Sequence, residues 1–160
     1  MTYQIADLPL LSGTLGIGPM PGRHGTFEAD LAALIAWAPD VVLTMNPSAE
    51  LAHADATGMG DDFEAIGVTW HHLPVEDMGA PPPATEAKWE AASAESLAAL
   101  GGGGRVFAHC WGGCGRSGMA LLRLMVEAGE PPRAALGRLR QARPCVVETE
   151  DQFEWASLGI

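Results

Sequence analysis

Two periods alternate along this chain: short apolar runs of strand type, and stretches whose apolar residues recur every three or four positions. Strands are predicted at Tyr3–Leu10 and Thr14–Gly18, ended by the Gly18-Pro-Met-Pro-Gly22 breaker. Thr26 then caps a predicted helix over Phe27–Trp37 with Leu31, Leu34 and Ile35 on one face. Val41–Met45 reads as a compact strand closed by Asn46-Pro47. Short helices follow, one capped by Ser48 and running through His53, the other capped by Asp61 or Asp62 and running through Ile66. Val68–Leu73 is the next strand, and Pro74–Pro83 a proline-rich loop. Thr85–Leu100 is an alanine-rich helix stopped by Gly101–Gly104, a glycine run read as a flexible helix-to-strand connection because it precedes a strand. Arg105–Ala108 is a strand and Ser117–Ala128 a helix; Pro131–Arg143 and Thr149–Leu158 are helical, split by Pro144. The expected fold class is α/β, one domain over residues 1–160.

Composition narrows the class. With 160 residues, 48% hydrophobic and 18% charged, the chain has enough apolar material for a core without staples. The longest wholly apolar run, Leu31–Ala38, falls far short of the roughly 20 residues that cross a bilayer. A net charge of −11 argues against nucleic-acid and membrane partners, which favour basic surfaces. The bias is uneven: residues 1–104 carry fourteen acids against two bases, and residues 105–160 seven arginines against six acids. Three cysteines do not make a disulfide framework, and with no signal peptide they suggest a reducing, cytoplasmic setting.

The chemistry concentrates in His109-Cys110-Trp111-Gly112-Gly113-Cys114-Gly115-Arg116-Ser117-Gly118. A strand delivers a cysteine into a loop with three glycines, and the loop opens a helix. Backbone N–H groups from Trp111, Gly112, Gly113, Cys114, Gly115 and Arg116 can turn inward as an anion nest, and the helix N-terminus adds its own donors. Both favour bound phosphate and Cys110 as the thiolate nucleophile. Arg116 has a planar fork that pairs bidentately with phosphoryl oxygens. Ser117 is placed to donate to the Cys110 sulfur when an intermediate breaks down. His109 reads as a buried orienting group. Expelling an alkoxide or phenoxide further requires a proton donor. Asp77 and its neighbour Glu76, in the loop after Leu73-Pro74, are the candidates, and spacing alone does not choose between them.

Cys110, five residues, then Arg116-Ser117 resembles the signature of protein-tyrosine and dual-specificity phosphatases. Thr14–Gly22, Glu50-Leu51, Trp70-His71-His72-Leu73-Pro74 and the loop His109–Ser117 resemble cyclin-dependent-kinase-associated phosphatases and their bacterial relatives, so the likeness covers most of the chain. It implies a central, mostly parallel twisted sheet flanked by helices. The implied activity is phosphomonoester hydrolysis through a cysteinyl-phosphate, with no metal or other cofactor. A phosphorylated protein or small phosphomonoester is the implied partner. The family pattern places an aspartate three residues after the proline, which selects Asp77 as general acid. Arg143-Pro144, Glu148-Thr149 and Gln152 resemble the segment whose glutamine lies near the hydrolytic water; a solvent-facing helical glutamine is the alternative for Gln152. Kinase partnership is not implied, because no residue here can be tied to that contact.

Cys114 and Cys145 depart from the pattern. A Cys110–Cys114 disulfide is conceivable, but Cys114 as a small loop-packing residue and Cys145 as a core or loop cysteine are the favoured readings. His71 and His72 point to opposite faces of a strand, and no zinc spacing exists among the histidines and cysteines. Trp37, Trp70, Trp89 and Trp155 are expected in the core. Arg123, Arg133, Arg138, Arg140 and Arg143 are expected on solvated helix faces. Rival readings are a non-catalytic phosphate-binding adaptor, a phosphatase for a non-protein substrate, and sulfur transfer or arsenate reduction. The intact Cys110, Arg116, Ser117 and Asp77 set speaks against the adaptor. The absence of lysine or histidine between Cys110 and Arg116 speaks against highly charged substrates.

Overall fold

The computed structural model describes residues 2–159. Five strands, β1 (Ala6–Leu10), β2 (Gly13–Gly18), β3 (Val41–Thr44), β4 (Thr69–His72) and β5 (Arg105–His109), form one sheet in the order β1-β2-β5-β3-β4. Only the β1–β2 pair is antiparallel, so the mostly parallel sheet that the resemblance implies is present. β5 lies in the middle, where both of its faces are covered. Val106 and Ala108 point into one apolar cluster, and Phe107 points into the other.

Helices cover the two faces. The helices α4 (Pro83–Gly101), α5 (Gly115–Glu127), α6 (Pro132–Ala142) and α7 (Glu150–Ser157) supply Trp89, Leu121, Leu124, Leu139 and Trp155 to the first cluster. On the other side, α1 (Phe27–Ala36), α2 (Ser48–His53) and α3 (Met59–Ala65) bring Leu34, Leu51 and Phe63. Among the described residues no helix is long and apolar enough to cross a membrane.

Several local expectations need correction. Thr26 does cap α1, accepting from the Ala29 amide at 3.2 Å. The α3 helix, however, starts at Met59 behind Gly58, so Asp61 and Asp62 sit in its first turn, where carboxylates favour the helix dipole, and neither caps it. Ser48 is likewise the first residue of α2, and Pro47 holds the cap position. Ile35 is exposed, because α1 offers the sheet a narrow face built on Leu34. Trp89 and Trp155 are buried, packed edge to face with centroids 5.0 Å apart. Trp37 and Trp70 are only half-buried, each keeping its indole N–H on a polar partner, Asp7 and Thr44 respectively.

Candidate active site

The period of two along β5 sends Cys110 to the same face as Val106 and Ala108, against the start of α5. The Cys110 Sγ lies 3.2 Å from Ser117 Oγ, and both residues are buried. Between them the chain makes a tight loop from Trp111 to Cys114. Gly113 has φ +71°, and a Cβ there would come within 2.5 Å of the Gly18 backbone. Glycine is required at that point on both counts. Gly115 opens α5 and is equally crowded, since a Cβ would run into the Glu148 carboxylate.

Arg116 occupies the first turn of α5 with 2% exposure. Glu50, on α2, accepts from it bidentately: Nη1 donates to Oε2 at 2.9 Å and Nη2 to Oε1 at 3.0 Å. Nη1 also donates to the Val75 carbonyl at 2.9 Å. Burial works against the guanidinium charge, yet the Glu50 bonds, with Cys110 and Asp77 adding to them, leave the group more firmly protonated than a free arginine. Asn46 donates to Glu50 Oε1 at 2.9 Å and so fixes the carboxylate in turn. Glu50 and Asn46 are neighbours of Arg116 to which sequence reasoning assigned no role.

Asp77 stands at the rim, 73% exposed, with Oδ1 3.7 Å from Arg116 Nη2. Its loop is a tight turn closed by the Gly79 amide donating to the Glu76 carbonyl at 2.9 Å, with Met78 at φ +65°. A non-glycine residue in that region is strained and persists only where its surroundings hold it. Gln152 is one of the groups that hold it. Its Nε2 donates to the Gly79 carbonyl at 3.1 Å, and its Oε1 accepts from the Glu148 amide at 2.8 Å. The glutamine is thus fully buried inside the α7 capping box, and the solvent-facing alternative is corrected. The mouth is a cavity of about 670 Å³ lined by Glu50, His53, Asp77, Trp111, Arg116 and Glu148, among others. Trp111 walls one side, with its centroid 5.6 Å from the His53 ring and Arg23 over its face at 5.9 Å.

His109 is wholly buried, and its Nε2 lies 2.8 Å from Thr44 Oγ1, which also accepts from Trp70 Nε1. Its Nδ1 has no well-formed partner. Burial, with the Arg116 and His72 charges adding to it, pulls the imidazole down to about 3, and the adjacent Cys110 backbone opposes the shift without cancelling it. The folded pKa therefore lies below the ordinary 6.5, so the stabilisation is full above 6.5 and is lost as pH falls from there toward 3. Between pH 7 and pH 5 the wild type should lose about 2 kcal/mol more unfolding free energy than His109→Gln. Urea titrations at the two pH values check this, and parallel losses in the two proteins would refute a buried neutral histidine.

The three cysteines are not arranged as expected. Cys114 is bonded to Cys145, with Cα atoms 5.2 Å apart, and Cys110 is the free thiol. A Cys110–Cys114 bond is therefore not what the fold forms. Cys110 faces the sheet–α5 core, whereas Cys114 turns toward the segment between α6 and α7, where Cys145 is exposed. Nor is Arg143 a solvated residue of a helix face. Its Nε and Nη2 donate to the Gly113 and Gly112 carbonyls at 2.5 and 2.9 Å. By contrast, Arg123 and Arg138 pair with Glu127 and Glu130, away from the loop.

Comparison with known proteins agrees with this geometry. Residues 27–136, well over half of the chain, match the family model of Cyclin-dependent kinase inhibitor 3 (CDKN3). The mouse (Mus musculus) protein of that name is 27% identical over 163 residues, covering 95% of this chain and 76% of its own length. The crystal structure of kinase associated phosphatase (KAP), with its catalytic-site cysteine substituted by serine, superposes with a TM-score of 0.83 at 21% identity. That match covers 98% of this chain and 93% of the other and shows a common fold. Tk-PTP in its active form gives a TM-score of 0.70 at 28% identity, covering 91% and 92% of the two chains. The chain belongs to the CDKN3 family, within the superfamily of cysteine-dependent protein-tyrosine and dual-specificity phosphatases.

Proposed function

We propose that residues 1–160 form one metal-independent phosphatase domain that hydrolyses phosphomonoesters through a cysteinyl-phosphate. The observation that carries this is the convergence, at one end of the parallel strands, of the Cys110 thiol, the Ser117 hydroxyl, the Arg116 guanidinium and the Asp77 carboxylate. Of the five guanidinium donors, three are engaged by Glu50 and Val75. The Nε–H and one Nη2–H remain, one edge of the fork, for two phosphoryl oxygens. The Cys110 thiolate attacks phosphorus, and the bond to the leaving oxygen breaks as Asp77 transfers its proton to that oxygen. Asp77, now a carboxylate, takes a proton from water, whose oxygen displaces the Cys110 sulfur and releases inorganic phosphate. Ser117 donates to the departing sulfur. Gln152, through the Gly79 carbonyl, keeps the Asp77 turn beside the nest during both steps.

The nest amides and Arg116 supply the electrostatic stabilisation a metal would otherwise give, so a chelator should leave turnover intact. We assign phosphorylated proteins or small phosphomonoesters as substrates and the cytoplasm as the compartment. The mouth sets Glu50, Asp77 and Glu148 against Arg23 and Arg116, and the loop from Cys110 to Arg116 has no further cation, which disfavours polyphosphorylated ligands.

The test is steady-state hydrolysis of a chromogenic aryl phosphate with chelator present. Asp77→Asn should lower kcat about a hundredfold and remove the basic limb of the pH profile, leaving KM similar or lower. Unchanged kcat in Asp77→Asn would move the acid role to Glu76. No turnover by the wild type would favour a non-catalytic phosphate-binding module.

A further inference from the structure

An anion nest needs its amide hydrogens turned inward, so its carbonyls must be held outward. Each carbonyl from Trp111 to Cys114 has such a partner. That of Trp111 accepts from the Met20 amide at 3.0 Å and Arg23 Nη1 at 3.2 Å; those of Gly112 and Gly113 accept from Arg143. The Cys114 carbonyl accepts from the Val147 amide at 3.2 Å as well as from its own helix. Three of the four carbonyls thus lean on the short segment 143–147, which has no regular secondary structure.

That segment is itself under strain. Val147 has φ +62°, a region that a β-branched side chain occupies only when its surroundings force it there. Arg140 holds it from one side through the Val146 and Val147 carbonyls, and the Cys114–Cys145 bond ties it covalently to the loop. Cys145 is exposed whereas Cys110 is 2% exposed, so a small thiol reaches the bond before it reaches the nucleophile.

Resting on the phosphatase reading above, we propose that Cys114–Cys145 is a thiol–disulfide switch that sets the anion affinity of the loop, tight when oxidised and loose when reduced. A thiolate of a small dithiol attacks one sulfur of the pair, the S–S bond breaks, and the freed cysteine takes up a proton. The second thiol of the reductant then resolves the mixed disulfide. The protein gains two electrons and two protons, and the reductant leaves as its own disulfide. Once the bond is open, segment 143–147 relaxes from the Val147 conformation, Arg143 leaves the Gly112 and Gly113 carbonyls, and the peptide planes between Trp111 and Cys114 are free to rotate. Each anion must then reorder the loop as it binds. A disulfide in a reducing compartment is characteristically of this responsive kind.

The test uses Cys110→Ser, in which Cys114–Cys145 is the one thiol couple left, and reads the affinity for inorganic phosphate by calorimetry before and after a dithiol. Alkylation with mass readout should find no free thiol before reduction and two after it. Phosphate binding should weaken roughly five- to tenfold on reduction. Adding Cys114→Ser and Cys145→Ser together, or Arg143→Ala alone, should give the weak affinity from the start with no further response to dithiol. Equal affinity in the two redox states, or two reactive thiols in protein never exposed to reductant, would overturn the switch and leave the phosphatase reading standing. No phosphate binding in either state would overturn both.

Discussion

Replacing Cys110 with serine is expected to lower aryl phosphate turnover by at least about four orders of magnitude, the scale on which loss of a covalent nucleophile acts. In the proposed mechanism sulfur attacks phosphorus; a serine hydroxyl in the same place is a weaker nucleophile with no base beside it. His109, its immediate neighbour, is wholly buried, bonded to Thr44 and held down to about 3, so it stays neutral and spent on structure. Phosphate binding should survive, because the proposed donors are backbone amides and Arg116, none of which the substitution touches. The combined readout matters more than either half. Calorimetry showing phosphate bound to Cys110→Ser, with hydrolysis lost, separates a catalytic thiol from a structural one. Turnover within tenfold of wild type would place the nucleophile elsewhere and end the cysteinyl-phosphate reading.

What the sequence could and could not reveal follows from the range of each interaction. The strand–loop–helix around Cys110 is local: period two along β5, three glycines, then helix, with Ser117 only seven residues from Cys110. Such features are written in neighbouring residues. The partner that orients Arg116 is Glu50, 66 positions away, and the chain holds twenty acidic residues from which periodicity does not choose. Arg143 lies 30 positions beyond Gly113 and looks like any arginine ending a helix until the turn after α6 brings it onto the loop. The cysteines make the same point. Cys110 and Cys114 are close in sequence, but the loop sends one into the core and the other outward, so pairing follows the fold and skips to Cys145. The caps expected at Ser48 and at Asp61 or Asp62 are a different case, since neighbouring residues compete to cap a short helix, and here Pro47 and Gly58 hold those positions.

Arg116→Lys should lower kcat about 10²- to 10³-fold, the range found when a preorganised transition-state donor is removed. The charge is kept, so a purely Coulombic role would predict a mild effect. Two features of this site argue for a large one. An ammonium is a point donor and cannot offer two parallel N–H groups to the equatorial oxygens. It also cannot satisfy both Glu50 oxygens and the Val75 carbonyl, which Arg116 binds at 2.9–3.0 Å, while still reaching a phosphoryl group. The substituted ammonium would settle on Glu50, already fixed by Asn46, and leave the nest short of its cation. Glu50→Gln, measured alongside, should cost only about tenfold to a hundredfold, the usual effect of loosening an orienting partner. Steady-state kinetics on one aryl phosphate decide the matter. An Arg116→Lys enzyme that keeps kcat and suffers only in KM would mean that the guanidinium binds ground state and transition state alike. In that case the inward-turned amides alone would carry the charge that develops at phosphorus.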